Sequence, residues 1–157
     1  MRLDRLHTVF QLVMGWTNSH LHQFTVGQTH YGVPDPDLEF DDSILNEKRY
    51  TLRDLASETK KKFIYEYDFG DSWHHEVKVE KVLPAHPNFK HPMCLAGENA
   101  CPPEDCGGIP GFYRLLEVLA DPKDPEHRQM KKWVGEELDP TLFNRDEANA
   151  FLGQIKA

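Results

Sequence analysis

Positive charge is scarce in this chain. Eighteen Lys and Arg stand against 26 Asp and Glu, for a formal net charge of −8. That balance argues against non-specific binding to nucleic acid or acidic membrane, which depends on clustered cations. The one basic run, Lys60-Lys61-Lys62, reads as a solvated strand entry. Long apolar runs are absent too. None approaches the roughly 20 residues of a membrane span, and the N-terminus lacks a signal peptide's hydrophobic centre and cleavage site. Cysteine is rare: three residues, Cys94, Cys101 and Cys106, cannot all pair within one chain, which is a poor design for a secreted disulfide scaffold and fits a reducing cytoplasm.

What is present suffices for one compact core, because 157 residues with 39% hydrophobic content leave little for a second domain. Leu3, Leu6, Val9, Phe10 and Val13 recur at helical spacing, with Gly15 where a C-terminal cap belongs. His20, His22, Phe24 and Val26 then alternate with Leu21, Gln23 and Thr25, the signature of a strand. From about residue 61 to 83, two alternating runs flank Gly70-Asp71-Ser72 and predict an antiparallel hairpin. Its Phe63, Tyr65, Tyr67, Phe69, Trp73, His75, Val77 and Val79 face should pack on helices, with Glu66, Glu76, Lys78 and Glu80 facing water. Phe112, Leu115, Leu116 and Leu119 match a helix ended by Asp121-Pro122, a short helix follows around Met130, Trp133 and Val134, and a last one starts from an Asn144 cap with Glu147 three residues on. The expected fold is a single α+β domain over residues 1–157: a mainly antiparallel sheet packed by an N-terminal helix and C-terminal helices.

Candidate sites concentrate in two places. The stretch from Cys94 to Phe112, CLAGENACPPEDCGGIPGF, places potential ligands among residues that stiffen the backbone, the composition of a loop that presents side chains. The hairpin end gathers Asp68, Asp71, Trp73, His74 and His75. Asp68-Phe69-Gly70 spells a kinase tripeptide, but its partner motifs are absent and the chain is too short for that fold. His20 and His22 could offer two imidazoles on one strand face, although a half-exposed strand explains the pair as well; His7, near the first apolar stripe, reads as a packed histidine. The acidic loop Val33 to Asp42 fails as an EF-hand from Asp35, since Phe40 and Asn46 stand where Gly and Glu are required.

YEYDFGDSWHHEVKVE, CLAGENACPPEDCGG and GFYRLLEVLADP, in that order, resemble the plasmid pRiA4b ORF-3-like family, which includes passenger proteins of some transposable elements. LHTVFQLVMGWTNSHLHQF and WVGEELDPTLFN extend the resemblance to nearly the whole chain. It implies a small α+β domain and brings little function with it. The family usually places an extra strand and a Trp-Arg-containing segment before the first helix, where this chain begins; a sheet lacking that strand would offer an unpaired edge to a partner or a second copy.

Two functions follow as expectations. In the first, the rigid Cys94–Gly111 loop and the hairpin end form a docking surface for a protein partner, carried by Asp68, Asp71, Trp73, His75, Glu98, Glu104 and Asp105, with no chemistry of its own. In the second, zinc is held by Cys94, Cys101 and Cys106 with His75 or His91, and a hydrolytic version would use Glu104 or Asp105 as general base. The cysteine spacings are not close Cys-x-x-Cys pairs, and the neighbouring carboxylates disfavour both a reactive thiolate at Cys106 and a bound phosphate.

Overall fold

In the computed structural model, which describes residues 1–35, 43–58, 62–84, 90–135 and 138–155, the first apolar stripe forms helix α1 (Leu3–Met14). Gly15 ends it at φ 75°, a left-handed conformation that costs glycine nothing. The alternating segments form β1 (His22–Val26), β4 (Lys62–Tyr67) and β5 (Trp73–Lys78). Between β1 and β4 lie β2 (Thr29–Gly32), β3 (Ile44–Asn46), a 3₁₀ turn at Glu47–Arg49 and helix α2 (Leu52–Glu58). After the cysteine loop come α3 (Gly108–Ala120), α4 (His127–Val134) and α5 (Arg145–Leu152). The predicted Asn144 cap is made, its side chain accepting from Glu147 N at 3.1 Å.

The five strands lie in the order β3-β2-β1-β4-β5, antiparallel throughout except for the β2–β3 pair. The fold is therefore α+β with a mostly antiparallel sheet. Register puts Phe24 between Tyr31 and Tyr65, Tyr65 opposite His75, and Tyr67 opposite Trp73, so one sheet face is almost wholly aromatic. Leu3 and Leu6 of α1, Trp16 and Leu55 of α2 cover it. Burying such side chains contributes about 1.5–3 kcal/mol each, enough to hold the sheet against α1 and α2. Helix α5 packs on α1, and α4 on α3. The opposite sheet face shows His74 and Glu76 to solvent, with Lys62 Nζ on Glu76 at 2.7 Å.

The hairpin alternation stops at Tyr67, two residues before the Phe69 that its sequence suggests. Asp68 takes φ 56°, which turns the chain over, so that Asp68 is buried and Phe69 is 47% exposed. Asp37, Glu39, Asp41, Lys60 and Lys61 lie outside the described residues. Among those described, no helix is long and apolar enough to cross a membrane.

Candidate functional site at the sheet end

The β4–β5 turn is built on Asp68. Its Oδ1 accepts from Gly70 N at 2.9 Å and Asp71 N at 3.3 Å, an Asx arrangement that suits the left-handed backbone at Asp68 and Ser72. Asp68 N–H donates to Leu21 O at 2.9 Å, fixing the turn against the chain entering β1. Asp71 Oδ2 then accepts from Gly107 N at 3.1 Å, so the turn also grips the cysteine loop. Gly108 follows at φ 65°, where a Cβ would stand 2.6 Å from Asp71 O. Only glycine permits that approach.

A second fastening runs through Tyr67. Its hydroxyl accepts from Ser19 N at 3.0 Å and His20 N at 3.3 Å, and donates to Glu104 Oε1. The other Glu104 oxygen accepts from Thr17 N at 3.0 Å and from the Thr17 hydroxyl. Burial works against a charged Glu104, yet the donors from Thr17 and Tyr67 outweigh it and hold the carboxyl below its ordinary value. Burial, then the bond to Glu104, pushes the Tyr67 phenol up. Trp16 Nε1–H completes the seam by donating to Pro102 O at 3.0 Å. Both Glu104 oxygens are thus engaged in holding the loop.

Three segments meet here: the chain before β1, the hairpin turn and the cysteine loop. His20 Nε2 stands 3.1 Å from Asp105 Oδ1 and 3.6 Å from Asp68 Oδ2. Among the described residues these three form the one set of His, Cys, Asp and Glu whose ligand atoms all lie within 4.8 Å of one another. Cys94, Cys101, Cys106 and His75 do not meet that condition. Cys94 is drawn to α5, exchanging hydrogen bonds with Asn149 at 2.8 and 2.9 Å, whereas Cys101 and Cys106 pack beneath the aromatic sheet face. His91 Nδ1 turns to Pro92 O at 3.1 Å. Burial pushes the Cys101 thiol up to about 12 and the Cys106 thiol to about 11, so neither is a thiolate near neutrality.

The remaining candidates divide. Asp105 is exposed and Asp71 half-buried at the seam, whereas Trp73 belongs to the core. His75 lies edge-on to Trp16, with ring centroids 5.5 Å apart, and its Nδ1 pairs with Tyr65 O at 3.2 Å. Glu98 lies apart from the seam, lining a cavity of about 610 Å³ between the end of α1, the loop at 96–102 and α5.

Residues 1–147 match the family described as plasmid pRiA4b ORF-3-like protein. The chain belongs to that family. It is similar to uncharacterized protein y4hQ of Sinorhizobium fredii, at 38% identity over 159 residues, spanning 100% of this chain and 80% of the relative. Among solved structures it resembles the protein of unknown function MM3350 from Methanosarcina mazei Go1, at 33% identity with a TM-score of 0.80, covering 93% of this chain and 82% of that one.

This pRiA4b ORF-3-like protein has a second histidine cluster, in the core. His22 Nε2 donates to Glu47 Oε2 at 2.7 Å, with both side chains buried. The His7 ring lies flat on His22, centroids 3.4 Å apart. With Asn18 Oδ1 accepting from His7 Nε2 at 2.7 Å, His7 Nδ1 must be the acceptor of the Tyr65 hydroxyl proton at 2.8 Å. Tyr65 Oη in turn accepts from Gln11 Nε2 at 3.1 Å, and Gln11 Oε1 accepts from Asn18 N at 2.9 Å. Burial, reinforced by His22, lowers His7 to about 4 and keeps it neutral.

The His-x-His pattern therefore serves two sites instead of one. β1 starts at His22, so His20 lies before the strand, outside its alternation. Glu47, Gln11, Asn18 and Tyr67 carry no motif; a buried glutamate between β3 and α2 becomes visible only when strand pairing is known.

Proposed function

We propose that this protein is a non-catalytic interaction module, and that its docking surface is the sheet end where the cysteine loop is fastened to the hairpin turn. One observation carries this reading. Leu21, Phe69 and Ile109 are all exposed, and the hydrogen bonds of Asp68 N to Leu21 O and of Gly107 N to Asp71 Oδ2 bring their three segments together beside half-buried Asp71 and exposed Asp105. Exposed apolar side chains on three joined segments, with carboxylates among them, suit a partner segment that combines apolar side chains with Lys or Arg. Pro102, Pro103 and the bonds to Glu104 fix the loop beforehand, which lowers the ordering cost of binding. Groups that chemistry would need are committed elsewhere: the Glu104 oxygens hold the loop, and the Cys101 and Cys106 thiols are pushed up by burial.

The test is a peptide array probed with the wild-type chain and with a Leu21→Ser/Phe69→Ser double variant. Wild type should be retained on peptides that join basic and apolar residues, more weakly as salt rises, and the variant should lose that retention. Equal retention of both proteins, or no preference for basic over acidic peptides, would overturn the reading.

A further inference from the structure

We infer that His20, Asp68 and Asp105 form a binding site for one divalent transition-metal ion of the Mn²⁺ or Zn²⁺ class. This inference does not rest on the docking surface. It rests on how the three donors face one another.

With metal–ligand bonds of about 2.1 Å, neighbouring ligand atoms stand about 3.0 Å apart in octahedral and about 3.4 Å apart in tetrahedral coordination. His20 Nε2 lies 3.1 Å from Asp105 Oδ1 and 3.6 Å from Asp68 Oδ2, within that range to a few tenths of an ångström. Direction matters more than distance. His20 Nε2 is buried and makes no hydrogen bond, although a carboxylate oxygen is near enough to accept one. An imidazole N–H needs its acceptor along the ring axis. A metal on that axis needs the other ligands off it, by roughly 35–45° for the two geometries. The oxygens are close but misaligned for hydrogen bonding, the placement of co-ligands rather than acceptors.

The side chain of Asp68 is only 10% exposed, and its Oδ1 is fixed by two backbone donors, which leaves Oδ2 without a hydrogen bond and turned to His20. A carboxylate held by one oxygen with the other free is how a ligand is oriented in advance. The His20 ring is steadied edge-on against Tyr67, centroids 5.9 Å apart, while its backbone N–H is held by the Tyr67 hydroxyl. Asp105 approaches from solvent, 69% exposed, so the remaining coordination positions open outward to water or another oxygen donor. One imidazole with two carboxylates favours first-row transition ions over Ca²⁺ and Mg²⁺, which prefer oxygen alone. Bound there, the ion would join the chain before β1, the hairpin turn and the cysteine loop.

Mn²⁺ is the decisive probe because it has little affinity for the cysteine thiols. Titration of the full chain followed by electron paramagnetic resonance should find one bound Mn²⁺ per chain. His20→Gln and Asp105→Asn should each weaken it at least tenfold. Mn²⁺ should also raise the melting temperature of wild type and leave that of Asp105→Asn unchanged, which a plain His20 ion pair would not produce. Zn²⁺ in equilibrium dialysis forms the second arm and should show the same dependence on His20 and Asp105. Absence of stoichiometric Mn²⁺ and Zn²⁺, or binding equal in wild type and both variants, would overturn the site. Zn²⁺ binding that survives both substitutions without any for Mn²⁺ would assign the metal to the thiols and overturn it equally.

Discussion

His20 and His22 are two residues apart and live in opposite surroundings. His22 donates to a buried carboxylate, stacks on His7 and belongs to a network in which Tyr65, Gln11 and Asn18 satisfy one another. His20 has a buried ring nitrogen with no hydrogen bond and two carboxylates beside it. A closed network is scaffold: it fixes α1 on the sheet and has no capacity left for a ligand. An open one retains unmet valence at the surface. Satisfaction of donors and acceptors, more than residue type, separates structure from site here.

That separation can be pressed hardest at Glu47. Glu47→Ala leaves the His22 pair broken in the core and should cost about 3–5 kcal/mol in urea denaturation. A loss under about 1 kcal/mol would mean that the buried cluster is not scaffold. Acid should act on the same cluster through His7, which faces His22, Glu47 and Tyr65. Its proton affinity is lowered from 6.5 to about 4 in the fold, so the unfolded chain binds the extra proton between those values. Its contribution is complete above about pH 6.5 and falls away towards pH 4, on the order of 3 kcal/mol in all. His75, also lowered by burial, adds a slope of the same sign. Urea midpoints measured across this window should rise with pH, and His7→Gln should flatten the rise. The smallest effect belongs to the open cluster. Asp105→Asn, at a side chain 69% exposed, should change metal-free stability by no more than about 1 kcal/mol. A larger loss would make His20 and Asp105 a structural ion pair and erase the contrast.

Much of the scaffold was legible because each element carries its own period: α1 with Gly15, the hairpin with its Gly-Asp-Ser break, α5 with its Asn144 cap. Strands β2 and β3, of four and three residues, are too short to show alternation and exist through pairing with β1 and with each other. At the site, Asp68, Asp71, Glu104 and Asp105 stand out as turn and loop chemistry. Which of them faces which was hidden, because the left-handed turn at Asp68 reverses inside and outside within one residue. Trp73 was expected both on the helix-packing face of the hairpin and in the docking surface, and it is core. The cysteines looked like a set, yet Cys94 answers to Asn149 on a helix that the sequence does not tie to it.

The Tyr67 hydroxyl is met by Ser19, 48 residues earlier, and by Glu104, 37 residues later. The site is thus tied at fixed points while the chain between them is free to change in length. Loop closure grows slowly with length, about 0.6 kcal/mol for each doubling. The stretch after β5, where Val82 and Leu83 are exposed, can therefore take inserted residues at little cost. Chains of unequal length can keep the same sheet end, provided that one tyrosine keeps its two appointments.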